Sequence, residues 1–441
     1  MGERHNLVIL HTHDTGRHLG VYGRGPCTPN LARMGEEGVV FDNAFCSAPQ
    51  CSSSRSSLFT GMMPHTNGLI GLAHRGFKLS EPSFGKHLAA VLARAGYATH
   101  LFGFQHECVV PLDLGYQEIH SGDQRKVAQV SDSTIEFLKN APDQPFFVSV
   151  ASSETHRVFT EGKDCKGEVK VPHYLPDHPD IQRDINNLNY DTETVDSAYG
   201  RVLDTIDECG LHDSTLVIYT TDHGIAFPGA KSTLFDPGIE TALIIRGPCG
   251  FEGGKRIPAL VSNIDVMPTI LEALGVDGND TIEGRSLMPI VRGEMAEVNN
   301  EIFVEQTYHA GYDPMRGIRT HKYKYTRNYK PVTHYFSPNV DAGYSKTIVA
   351  EQSDEFQRPR DREFLFHLEE DPEENANLVN EVEYQGILKE LREKMDAWMT
   401  ATKDPMLDGF VPPPEGSVVS CDDALEPGDS LPATEWLAQR K

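Results

Sequence analysis

Short apolar, β-branched runs alternate with amphipathic helical stretches through most of this 441-residue chain, and that alternation admits few folds. Leu7-Val-Ile-Leu10, Tyr97 to Phe102, Phe146-Phe-Val-Ser-Val-Ala151, Thr215-Leu-Val-Ile-Tyr-Thr220 and Ala242 to Arg246 read as buried strands. Between them, Ser83 to Gly96 places Phe84, Leu88, Val91, Leu92 and Ala95 on one helical face. Ser131 to Asn140, Asp191 to Cys209 and Ile264 to Leu274 carry the same period. The pattern predicts an α/β fold: a large, mostly parallel sheet flanked by helices on both faces. After about residue 300 the texture changes to short strands, at Glu301 to Val304, Met315 to Arg319, Lys322 to Arg327 and Phe364 to Leu368, followed by a charged helix from Tyr384 to Thr400. The expected division is a large α/β domain over residues 1–300 and a smaller antiparallel-sheet α+β domain over 301–441. Residues 403–441, rich in Pro, Gly and acid, read as an extended surface tail.

The formal net charge of −25 repels nucleic acid and anionic membranes, so neither is expected as a partner. An anionic substrate would need a local positive site. The apolar run Leu7 to Leu10 is too short for a signal-peptide core, and no stretch approaches ~18 uninterrupted apolar residues. The chain therefore reads as cytoplasmic. Eight scattered cysteines, with no CxxC pair and no zinc spacing, read as reduced thiols.

In an open parallel sheet, ligands bind beyond the carboxyl ends of the strands. The residues there are His11, His13 and Asp14; Gln105-His106-Glu107; Glu154-Thr155-His156-Arg157; and Asp222-His223-Gly224. Any one of these alone reads as a polar turn. Four of them deliver His or carboxylate to one rim. Asp14, Asp222 and His223 offer oxygen and imidazole donors suited to a divalent cation. Imidazole shifts the preference away from Ca²⁺ or Mg²⁺ and toward Mn²⁺, Zn²⁺ or Fe²⁺.

The segment Ala48-Pro-Gln-Cys51-Ser-Ser-Ser-Arg55-Ser-Ser-Leu58-Phe-Thr60-Gly61 closely resembles the sulfatase signature C-x-P-S-R-x-x-L-x-T-G, with Ser53 in place of Pro. Thr28 to Leu31, Gly38 to Ala44, Pro64 to Gly68, Leu216 to Gly224 and Phe366 to Leu378 extend the likeness over residues 5–400. Within the family, the heparan N-sulfatase (sulfamidase) group is most similar, through His65 to Leu72, Asp222 to Pro228, Phe235 to Gly238 and Pro314 to Arg316. The resemblance implies an alkaline-phosphatase-like fold and a formylglycine made from Cys51 by a formylglycine-generating enzyme. It also implies one divalent metal, calcium or manganese, with zinc and magnesium as the other choices, and a homodimer. By position, Asp14, Asp222, His223 and the Cys51 product match metal ligands, and His13 sits where many members have a second Asp. Arg55, His106, His156 and Lys231 match catalytic groups: Arg55 holds the hydrate, Lys231 and His106 face the sulfate, and His156 protonates the leaving atom. The Lys of the family's G-K-x-H motif is Phe104 here. His309 and Arg316 are expected to read the substrate, and the loop from Thr160 to Val171 to border it.

These readings lead to hydrolysis of a sulfate ester or sulfamate on a sulfated saccharide or aryl group. Two alternatives stay open. The imidazoles at positions 13 and 223 and the missing Lys favour a phosphonate or phosphodiester hydrolase. Ser53 and Phe104 allow an inactive sulfatase-like binding protein.

Overall fold

The computed structural model describes residues 4–120, 126–330, 338–352, 360–422 and 424–440. Eight strands form the main sheet: β1 (Asn6–Thr12), β2 (Val39–Phe45), β3 (Ala98–Gly103), β4 (Glu118–Ile119), β5 (Phe146–Ala151), β6 (Thr215–Thr221), β7 (Leu243–Arg246) and β8 (Lys255–Ser262). Their spatial order is β4-β3-β5-β1-β6-β7-β2-β8. Every neighbour is parallel except β7, which runs antiparallel to both β6 and β2. The Ala242 to Arg246 run is thus a strand as expected, in the direction that periodicity cannot reveal.

Six helices cover the sheet: α1 (Pro29–Glu37), α2 (Cys51–Thr60), α3 (Leu88–Arg94), α4 (Val127–Lys139), α5 (Pro179–Glu208) and α6 (Val266–Leu274). Leu58, Leu88, Leu92, Ile270 and Leu271 bury α2, α3 and α6 against one face. Leu31, Met34, Val130, Leu138, Val202 and Ile206 bury α1, α4 and α5 against the other. Two helix starts differ most from expectation. The Ser83 to Gly96 stretch is broken at His87, whose imidazole accepts from the Ala89 N–H and starts α3 there. α5 begins twelve residues early, at Pro179 rather than Asp191, because His178 caps it and Pro179 fits its first turn.

The second sheet comprises β9 (Glu301–Tyr308), β10 (Tyr312–Thr320), β11 (Tyr323–Asn328) and β12 (Glu363–His367), antiparallel in the order β12-β11-β10-β9. Between β11 and β12 the chain returns to the first unit, where α7 (Tyr344–Gln352) packs Ile348 and Val349 on Ile185 and Leu188 of α5. The charged helix α8 (Gln385–Thr402) covers the second sheet with Leu388, Leu391, Met395 and Met399. The tail is more ordered than its composition suggests. It forms a hairpin, β13 (Val418–Ser420) with β14 (Ser430–Pro432), and then α9 (Ala433–Ala438). Trp436 of α9 is buried beside Tyr308 and Tyr312. Strands of three residues are too short to show a period, so composition dominates the sequence signal there.

Arg316, expected at the substrate, is an interior group of the second unit. Its guanidinium is fully buried, donates to both carboxylate oxygens of Asp404, and donates to the Gln306 carbonyl at 2.8 Å. Arg316→Ala would strand Asp404 without its cation. Breaking a buried ion pair in this way costs about 3–5 kcal/mol. Urea unfolding should show that loss; a change below ~1 kcal/mol would contradict the assignment.

Candidate active site

β1 and β6 lie side by side with Thr12 level with Thr221, so the residues that follow them leave the sheet together. The Asp14 N–H donates to Asp222 Oδ1 at 2.8 Å, and Asp14 holds a left-handed φ of +48°, a conformation Asp tolerates better than most residues. His223 Nδ1 donates to the Gly224 carbonyl at 3.0 Å, because a carbonyl can only accept. That fixes the tautomer. It leaves the bare Nε2 3.1 Å from Asp14 Oδ1 and 3.2 Å from Cys51 Sγ. Gly224 is needed at this turn, since a Cβ there would stand 1.8 Å from the Pro237 carbonyl oxygen.

Cys51 is the first residue of α2, and its sulfur is buried 3.7 Å from Asp14 Oδ1. Burial pushes its thiol well above the usual range; Asp14 and Asp222 add to that, against Lys231 and Arg55. In the absence of a cation at its side, an unmodified Cys51 is therefore held as a thiol, a weak nucleophile. Ser53, standing in for Pro, donates its hydroxyl to the Leu69 carbonyl at 2.7 Å and leaves the helix start intact.

Two cations balance the carboxylates. Arg55 Nε donates to Asp222 Oδ2 at 3.2 Å, and Lys231 Nζ donates to Asp14 Oδ2 at 2.8 Å. Burial alone would raise the Asp14 carboxyl, but the Lys231 ammonium, foremost, holds it well below the usual carboxylate range. Burial would likewise raise Asp222, and the charge around it, the Arg55 guanidinium included, holds it well below the usual range. His13 Nδ1 sits 3.0 Å from Asp222 Oδ2, yet it is a buried nitrogen whose direction makes no hydrogen bond. Nitrogen, oxygen and sulfur atoms of His13, Asp14, Cys51 and Asp222 all lie within 4.8 Å of one another. Two buried carboxylates, an orphaned imidazole nitrogen and the bare Nε2 of His223 fit a divalent cation.

The remaining expected residues divide clearly. His156 Nδ1 donates to the Arg157 carbonyl at 2.6 Å, and its Nε2 lies 3.8 Å from Asp14 Oδ2. His106 Nε2 meets His74 Nδ1 at 2.6 Å with the rings stacked. Phe104 packs on His13 with centroids 4.6 Å apart, so an aromatic face occupies the place of the family's Lys. His309 is buried near Lys231 and Asp341, and is pushed down to about 3 by burial and then by the Lys231 charge. Arg157 is tied bidentately to Asp184 at 2.8 and 2.7 Å. A cavity of about 740 Å³ opens beside His13, His74, Phe104, His106 and His156. The Thr160 to Val171 loop is not part of its wall. It lies along α5 instead, through Thr160 N–H to Asp191 at 3.0 Å and Lys166 N–H to Glu193 at 2.8 Å.

Sequence reasoning missed two residues. Asp341 accepts from Lys231 at 2.6 Å, and it arrives on the excursion between β11 and β12, where no strand end or motif points to it. His74, the partner of His106, sits in a single 3₁₀ turn without periodicity.

A family model described as Sulfatase matches residues 5–276, more than half of the chain. The chain belongs to the sulfatase family. A second model, N-sulphoglucosamine sulphohydrolase, C-terminal, matches residues 229–344 of this sulfatase. It is 28% identical to human N-sulphoglucosamine sulphohydrolase, over 91% of each chain. It is 27% identical to an ulvan-active sulfatase of Formosa agariphila, covering 91% of this chain and 76% of that one. Its fold matches a 2-O glycosaminoglycan sulfatase structure with a TM-score of 0.71 at 21% identity, over 93% and 95% of the two chains. It also matches the structure of a protein in complex with its substrate D-glucosamine-2-N,6-O-disulfate, with a TM-score of 0.70 at 19% identity, over 93% and 100%.

Asp14→Asn and Asp222→Asn should each weaken divalent-metal binding by at least the about 10–100-fold that loss of an outer-shell partner costs. Metal analysis of the dialysed variants checks this. Wild-type metal content in both would remove the carboxylates from the metal site.

Proposed function

We propose that this sulfatase removes the sulfo group from a sulfated saccharide, from oxygen or nitrogen, using a formylglycine derived from Cys51 and a divalent metal held by Asp14, Asp222, His223 and His13. The carrying observation is the position of Cys51. Its sulfur lies 3.2 Å from the bare His223 Nε2 at the mouth of a buried carboxylate pair, yet a thiol lacks the pair of hydroxyls that could attack sulfur and then expel sulfate. A cysteine so placed belongs in the reaction but is a poor reagent as it stands. The saccharide assignment draws support from the human and Formosa relatives, whose names give N-sulphoglucosamine and ulvan.

When present, the formylglycine hydrate supplies the attacking hydroxyl and the metal polarises the sulfate. The chain's own residues do the rest. Lys231, shared between Asp14 and Asp341, is the buried cation that faces charge growing on the transferring group. Arg55 holds Asp222 in place from within α2. His106, braced by His74, lines the cavity next to His13. His156 is the general acid. With Nδ1 fixed as a donor to Arg157, its imidazolium form carries the second proton on Nε2, 3.8 Å from Asp14 Oδ2 on a ring that lines the cavity.

Because Cys51 is buried in a helix, a formylglycine-generating enzyme has to reach it before the chain folds. This partner, and a homodimer, belong to the proposal through the family resemblance. Ser53 preserves the start of α2, which supports an enzyme over a binding protein. The imidazoles of His13 and His223 beside the carboxylates favour the phosphodiesterase alternative, and parallel assays on an aryl sulfate and an aryl phosphodiester decide between them.

Two outcomes are expected. Cys51→Ala should abolish turnover while far-UV circular dichroism stays unchanged; normal turnover would exclude Cys51 from the reaction. His156→Ala should lose about 10²–10⁴-fold in kcat/KM on a sulfated sugar, whose leaving group needs a proton, and much less on nitrophenyl sulfate. Equal losses on both would reassign His156 to positioning.

A further inference from the structure

At the far edge of the main sheet, β3 and β4 bring three donor groups together away from the catalytic cage. His100 and Glu118 are register partners in the parallel pair, and His120 follows two residues after Glu118. His100 Nδ1 lies 2.9 Å from His120 Nε2, and Glu118 Oε2 lies 3.7 Å and 3.5 Å from those same two nitrogens. The point equidistant from the three atoms falls about 2.0 Å from each, which is the bond length of zinc to imidazole nitrogen and carboxylate oxygen.

The rings are held in this arrangement by packing. His120 stacks on Phe102 with centroids 4.2 Å apart, and His100 packs on Phe137 at 4.5 Å. His100 Nε2 is buried without a hydrogen-bond partner among the described residues, so the ring's polar capacity is directed through Nδ1 at His120 and Glu118. Burial lowers both imidazoles, which leaves them neutral and available as ligands.

We propose that His100, Glu118 and His120 form a second divalent-metal site, of the two-imidazole, one-carboxylate class that takes zinc, with water completing the shell. The metal ties the two-residue strand β4 to β3. That tie bears on the substrate side: Leu101 and Ile119, the next residues along each strand, point the other way and line the catalytic cavity. The site thus braces the cavity wall from behind and takes no part in the reaction itself.

The test is zinc titration by calorimetry into the protein already loaded with its active-site metal. One further zinc per chain is expected. His120→Ala should weaken that binding by more than about 100-fold, beyond the cost of losing an outer-shell partner. Glu118→Gln, at an exposed position that cannot threaten folding, should weaken it by about 10-fold. Asp14→Asn should retain the second zinc, and both edge variants should retain zinc-free turnover. Absence of zinc beyond the active-site metal, or equal uptake by wild type, His120→Ala and Glu118→Gln, would overturn the proposal and leave a histidine–histidine hydrogen bond in its place.

Discussion

Asp14 and Asp222 place two carboxylates side by side with no exposure to water, and much of the molecule balances that charge. Burying a carboxylate is costly unless it is paired and hydrogen-bonded. β1 and β6 create the problem by ending level with one another. α2 answers it with Arg55 on Asp222, and the loop after β6 answers it with Lys231 on Asp14. His13 and His223 add imidazole nitrogens 3.0 and 3.1 Å from the carboxylate oxygens. A divalent cation held there would complete a balance that the protein's own cations begin.

The second unit contributes to the same balance. Lys231 is held from both sides, by Asp14 of the main sheet and by Asp341 of the excursion between β11 and β12. His309, just past β9, stands near enough for the Lys231 charge to act on it. The site is therefore assembled from both units, and α7, packed on α5, anchors the excursion that brings Asp341 in. The His74–His106 pair, from two further loops, lines the adjacent cavity.

Much of this is legible in the sequence, for a physical reason. Strands buried on both faces are continuous apolar runs, and the rule that ligands bind beyond their carboxyl ends singles out His13, Asp14, His106, His156, Asp222 and His223 without coordinates. The cysteine segment supplied Cys51 and Arg55 through its likeness to a family signature. The failures occur where tertiary packing outweighs local pattern. Arg316 carries the side chain of a substrate reader, yet β10 turns it inward to Asp404. Asp341 and His74 sit in irregular segments with no period to reveal them. The direction of β7 depends on the connection around it, and the tail's buried Trp436 is hidden by a composition that resembles a linker.

The central claim is that Cys51 enters the reaction only after conversion, because it stands beside the buried carboxylates and His223 while a thiol lacks the pair of hydroxyls that attack sulfur and release sulfate. The most direct measurement is a mass spectrum of the tryptic peptide that ends at Arg55, taken from active protein made in its native host. The account predicts the aldehyde of formylglycine, or its hydrate, at position 51. A fully unmodified thiol in protein that turns over a sulfated substrate would contradict it.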